Sequence, residues 1–106
     1  EFPSDAGAQA VLRVLASEDP QLRANAVGAL GISAATWYGL IYADRIAVLL
    51  RDPDPQVARS AVRTLSRFEH PRALRLLNES LPFIQHADVL GEARMAAVEL
   101  EEKLSR

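Results

Sequence analysis

The sequence predicts an all-α fold: one domain over residues 1–106, built as a short right-handed solenoid of three helical hairpins, six helices in all. Three observations lead there. Ala, Leu, Arg and Glu are plentiful while glycine and proline number five and six, a composition that favours helix over strand. The chain also repeats itself at an offset of 35 residues, with VLRVLASEDPQLRANAVGAL at 11–30 aligning without a gap on IAVLLRDPDPQVARSAVRTL at 46–65. Finally, Val57, Ala61, Leu65 and Phe68 recur at helical spacing, with Ala58 and Val62 beside them, which marks one buried stripe.

The alignment justifies the elements in order. Seven positions are identical: Leu15/Leu50, Asp19/Asp54, Pro20/Pro55, Gln21/Gln56, Ala26/Ala61, Val27/Val62 and Leu30/Leu65. They describe an apolar helix end, an Asp able to cap free N–H groups, and a Pro at the first helical position, where a missing N–H costs nothing. Each unit is therefore helix, tight turn, helix. The first spans 5–17 and 20–31, and the second 34–51 and 55–68. The third, 71–81 and 88–104, has a longer internal loop around Pro82 to Ala87, with the Leu76-Leu77 pair standing where Leu49-Leu50 stood. Its register has two solutions. The offset of 35 places Arg59, Ala61 and Leu65 on Arg94, Ala96 and Leu100, whereas a shift of one residue places Val62 on Val98. The polar ending ELEEKLSR suits a terminal repeat that covers the end of a stack.

DPQLRANAVGALG and RDPDPQVARSAVRTL resemble the HEAT repeat, in the short bacterial form grouped with phycobilisome-lyase-like repeats. Asp19, Leu22, Arg23, Ala26, Leu30 and Gly31 carry the likeness in the first unit, and Asp54, Val57, Ala61 and Leu65 in the second, where Ala58 and Ser66 stand in place of the Arg and Gly of the pattern. The third unit keeps Arg94 and Ala97 and lacks the Asp-Pro turn. The resemblance implies a non-enzymatic scaffold that binds other macromolecules and carries no catalytic residues across. It leaves two further readings: an accessory or regulatory domain attached to an enzyme or membrane transporter, and a bilin-attachment lyase, for which the sequence offers neither a cysteine nor a His/Asp pocket motif.

Composition narrows the chemistry. With 49% apolar and 25% charged residues the chain has enough apolar surface to fold. The lack of cysteine removes disulfides, thiol catalysis and cysteine-ligated zinc, and, with no signal-peptide pattern at the N-terminus, favours the cytoplasm. A net charge of −2 provides no general field for nucleic acid. His70 and His86 are isolated, Asp52 and Asp54 are explained by helix starts, and no serine elbow or glycine-rich phosphate loop is present, so no enzyme, cofactor or metal site is expected. The uncharged run Ala24–Ala43, ANAVGALGISAATWYGLIYA, reaches the length of a membrane span, but the repeat places a helix end inside it, and core packing of the middle hairpin is the favoured reading. On that basis Tyr38, Tyr42, Ile46 and Leu49 form one buried stripe, and Trp37, Ile41 and Val48 a second.

Residues 51–75 hold six arginines against three acids. Arg59, Arg63 and Arg67, each one helical turn apart, form a ladder opposite the buried stripe, with Arg94 on the neighbouring second helix and small Ala24 and Gly28 on the other side. If the second helices line a concave face, these four arginines are placed to bind an acidic peptide or partner protein, since guanidinium forks match carboxylates. The competing reading is a solvated face paired to Glu69 or Glu99. Four arginines without interleaved aromatics argue against a nucleic-acid-binding module. Trp37 and Tyr38, near a helix start, could offer a rim contact, and the apolar surface of Phe2, Val11, Leu12, Val14 and Leu15 predicts packing of the first helix on an upstream domain.

Overall fold

The computed structural model describes residues 13–32 and 43–106, and among these residues every regular element is helical. After a helical turn at 13–15 come α1 (Pro20–Ile32), α2 (Ala43–Val48, continued by a 3-10 turn at Leu49–Arg51), α3 (Pro55–Arg67), α4 (Pro71–Ser80, followed by a 3-10 turn at Leu81–Phe83) and α5 (Ala87–Leu104). Most of the first expected helix, the start of the helix expected at 34–51, the aromatic residues Trp37, Tyr38 and Tyr42, and the apolar Phe2, Val11 and Leu12 lie outside the described residues.

The helix starts follow from local chemistry. Asp19 accepts a 2.9 Å bond from the Gln21 N–H, and Asp54 accepts from Gln56 and Val57 at 2.9 and 3.3 Å, each carboxylate satisfying donors that the first helical turn leaves free. Proline follows each cap, as it also follows His70, whose Nδ1 accepts from the Arg72 N–H at 3.0 Å to start α4. Between α3 and α4 the link shrinks to Phe68, Glu69 and His70, and the reversal is made by Glu69 at φ 44°, a left-handed conformation that glycine adopts more readily.

Packing builds two rows. α1 packs on α3 and α3 on α5, while α2 and α4 contact one another and lie against α3, with α4 also against α5. The core cluster holds the fully buried Val27, Ile46, Leu50, Leu65, Leu77, Val89 and Leu100, each contributing about 1.5–3 kcal/mol by leaving water. Alanines 58, 61, 73, 93 and 97 are buried among them, and their small side chains let the helices approach closely. The repeat is visible in burial as well as in sequence, because Leu15 and Leu50, Ala26 and Ala61, and Val27 and Val62 are all buried. In the region expected as the third unit burial fits neither register throughout: the offset of 35 pairs buried Leu65 with buried Leu100, while the shift of one pairs buried Ala61 with buried Ala97 and leaves Val98, 57% exposed, opposite buried Val62.

One expectation needs correction. Val48, assigned to a second buried stripe, is 63% exposed, because α2 meets its neighbours through Ala43, Ile46 and Ala47 and the 3-10 turn through Leu50. Ahead of the polar ending, Met95 and Val98 project from α5 at 66% and 57% exposure.

Candidate functional site

The turns that lead into α1, α3 and α5 meet along one edge. Arg23, on the first turn of α1, donates from Nε and a terminal nitrogen to the two carboxylate oxygens of Asp52 at 2.8 and 3.0 Å, and from its other terminal nitrogen to the Ser17 carbonyl at 2.6 Å. Asp52 also accepts from the Asp54 N–H at 2.9 Å, a role that Ser17 plays for Asp19 one repeat earlier. The hydrogen bond to Asp52, reinforced by its charge, raises the Arg23 pKa against the opposing effect of burial. On the other side of the same turn, Gln85 donates to the Arg51 carbonyl and a His86 ring nitrogen contacts the Pro53 carbonyl, both at 2.8 Å. The Arg51 guanidinium lies 4.1 Å from the centre of the Phe83 ring, a cation–π contact at the same edge. These contacts hold units together. They engage the Asp52 carboxylate, while the Asp54 carboxylate is occupied in capping α3, and among the described residues no group of three His, Cys, Asp or Glu is placed to hold a metal ion.

The arginine ladder divides into unlike parts. Arg59 is 21% exposed and reaches across to α5, donating from Nε to Glu92 at 2.8 Å and from a terminal nitrogen to Asp88 at 2.9 Å. Its pKa is raised, first by the Glu92 hydrogen bond and then by the Glu92 charge. The partners expected for such pairs, Glu69 and Glu99, are not the ones used. Arg59 is a clamp between α3 and α5, and its charge is already answered. Arg63 and Arg67 are exposed and form no ion pair with any carboxylate among the described residues. Arg67 also lies in the last turn of α3, where a cation is favoured by the helix dipole.

Arg63 lines a groove of about 200 Å³ between α3 and α5, with Ser66 and the buried Val62 on its own helix and Glu92, Met95, Ala96 and Glu99 on α5. Arg94 is exposed too, but lines a separate depression of about 260 Å³ with Met95, Val98 and Glu99, so the four arginines do not converge on one hollow. On the opposite flank of α3 the Thr64 hydroxyl donates to the Val27 carbonyl at 3.2 Å, which joins α1 to α3; Gly28 on α1 is exposed, with nothing within 4 Å of where a Cβ would stand. Trp37 and Tyr38 lie outside the described residues. Among the described residues no helix is long and apolar enough to cross a membrane.

The exposure of Met95 and Val98 was missed in the sequence because the apolar positions of EARMAAVEL go all the way round the helix, whereas Glu99, expected as a partner for the arginine face, lines the groove with Arg63 and forms no ion pair among the described residues. No protein-family model, curated protein or solved structure matches the chain.

Proposed function

We propose that the chain is a HEAT-like α-solenoid segment acting as a non-enzymatic interaction scaffold, and that Arg63 and Arg67 on α3 contact an acidic peptide or an acidic segment of a partner protein. The observation that carries the reading is the contrast within one ladder: Arg59 is consumed by two carboxylates, while Arg63 and Arg67, one turn apart, are exposed and without an ion-pair partner among the described residues. The solenoid part is supported by the serial packing of α1, α3 and α5 in one row, with α2 and α4 in the other, the arrangement two-helix units adopt when stacking is what buries their apolar faces. Glu99 beside Arg63 and the two acids on Arg59 disfavour a continuous polyphosphate backbone, which would meet carboxylates at every step across the surface.

The test is anisotropy of fluorescein-labelled hexaglutamate titrated with the chain at low and high salt. Binding that weakens with salt and falls about tenfold or more in the double variant Arg63→Ser/Arg67→Ser supports the reading. Equal binding by the double variant, or no binding by the parent chain, overturns it.

A further inference from the structure

The groove between α3 and α5 specifies more than an acidic partner. Its 200 Å³ lies below the roughly 300 Å³ at which small-molecule pockets begin, so a single large side chain is a better occupant than a cofactor-sized ligand. The groove base is apolar, with Val62 buried and Ala96 half-buried, and Met95 rises beside it at 66% exposure, a flexible thioether suited to packing on whatever enters. The charges are the informative part. Arg63 stands on the α3 side and Glu99 on the α5 side of the same hollow, and neither forms an ion pair among the described residues, whereas Glu92, which also lines it, is engaged by Arg59. Opposite charges that flank an apolar slot without closing on each other leave both available to an incoming segment.

Resting on the interaction-scaffold reading above, we infer that this groove docks an amphipathic helix of a partner protein that inserts one large apolar side chain between Arg63 and Met95 and carries an acidic residue on one flank and a basic residue on the other. The acid meets Arg63 and the base meets Glu99. A neighbouring apolar residue of the same helix, one turn along, covers Val98, which lines the adjoining depression together with Met95 and Glu99.

A second copy of the chain is the rival occupant. A two-fold axis along α5 opposes Arg63 to the Arg94 flank, but one across α5 can set Arg63 of each copy against Glu99 of the other, so the oligomeric state decides between a second copy and a partner helix.

Three stapled alanine-based helical peptides of about 14 residues, four turns long, test the inference. All carry the same leucine seam, and they differ only in their flanks: acid on one side and base on the other, acid on both, or base on both. Anisotropy is measured against the parent chain and the exposed-site variants Met95→Ser, Glu99→Lys and Arg63→Ser, whose folding is checked by circular dichroism. The inference expects the mixed-flank peptide to bind about tenfold tighter than either uniform one. It also expects Met95→Ser to weaken that binding, and Glu99→Lys to shift the preference to the acid/acid peptide.

If the parent chain prefers the acid/acid peptide and loses it in Arg63→Ser, the inference is overturned while the acidic-partner reading stands. A mixed-flank preference that survives both Met95→Ser and Glu99→Lys places binding elsewhere and overturns it as well. So does failure of all three peptides to bind, or a dimer seen in sedimentation that Met95→Ser abolishes.

Discussion

Replacing Arg23 with Met keeps the aliphatic stem and removes the guanidinium, and with it three hydrogen bonds: two to Asp52 and one to the Ser17 carbonyl. The Asp52 side chain is only 6% exposed and retains a single donor, the Asp54 N–H. Orphaning a buried charge costs about 3–5 kcal/mol, and because 14% of the Arg23 side chain meets water the lower end, about 3 kcal/mol, is expected. For a domain of this size that lowers the Tm by roughly 12–24 °C. Urea and thermal unfolding of Arg23→Met, Asp52→Asn and the double variant read both the loss and its sharing. The double variant should fall short of the summed single losses by more than about 1 kcal/mol, since each single change already breaks the same contact. A loss below about 1 kcal/mol in Arg23→Met, or simple additivity, refutes the reasoning. Because Asp52 raises the Arg23 pKa, the guanidinium's contribution is fully present below the ordinary arginine range and is lost only as pH climbs through the raised value. Arg23→Met should therefore be destabilising by the same amount at neutral and mildly alkaline pH.

Two further changes probe the connections. Glu69→Gly, at φ 44°, should stabilise by about 0.5–1 kcal/mol, relief of left-handed strain outweighing the greater freedom of an unfolded glycine, and a urea midpoint that falls instead would contradict the assignment. Asp54→Ala should cost about 1–2 kcal/mol by exposing the Gln56 and Val57 N–H groups, with Asp54→Asn recovering most of it in the same denaturation assay.

What could be read from the sequence was governed by neighbours in the chain. The Asp-Pro helix starts, the caps at Asp19 and Asp54, and the buried positions Val27, Val62 and Leu65 all follow from spacings of a few residues, and the 35-residue repeat carried them from unit to unit. What escaped depended on distance. Arg59 looked free because its partners are 29 and 33 residues further on, on a helix whose register had two solutions. Asp52 looked like an ordinary turn residue, and only the approach of Arg23 across 29 residues gives it a role. Val48, Met95 and Val98 are apolar, and burial was assigned to Val48 by pattern; periodicity names the faces of a helix but not which face receives a neighbour.

Connecting turns are ordinarily where chains tolerate inserted or deleted residues. The turn from Arg51 to Asp54 is held from both directions, by Arg23 through a carboxylate and by Gln85 and His86 through two backbone carbonyls, while Asp54 must still begin α3. Lengthening it by one residue would displace acceptors that two other parts of the chain depend on. This short segment therefore acts as a ruler: its length fixes the spacing of what precedes and follows it, and variation that natural drift or an engineer might introduce has less room here than on the open surface of α5.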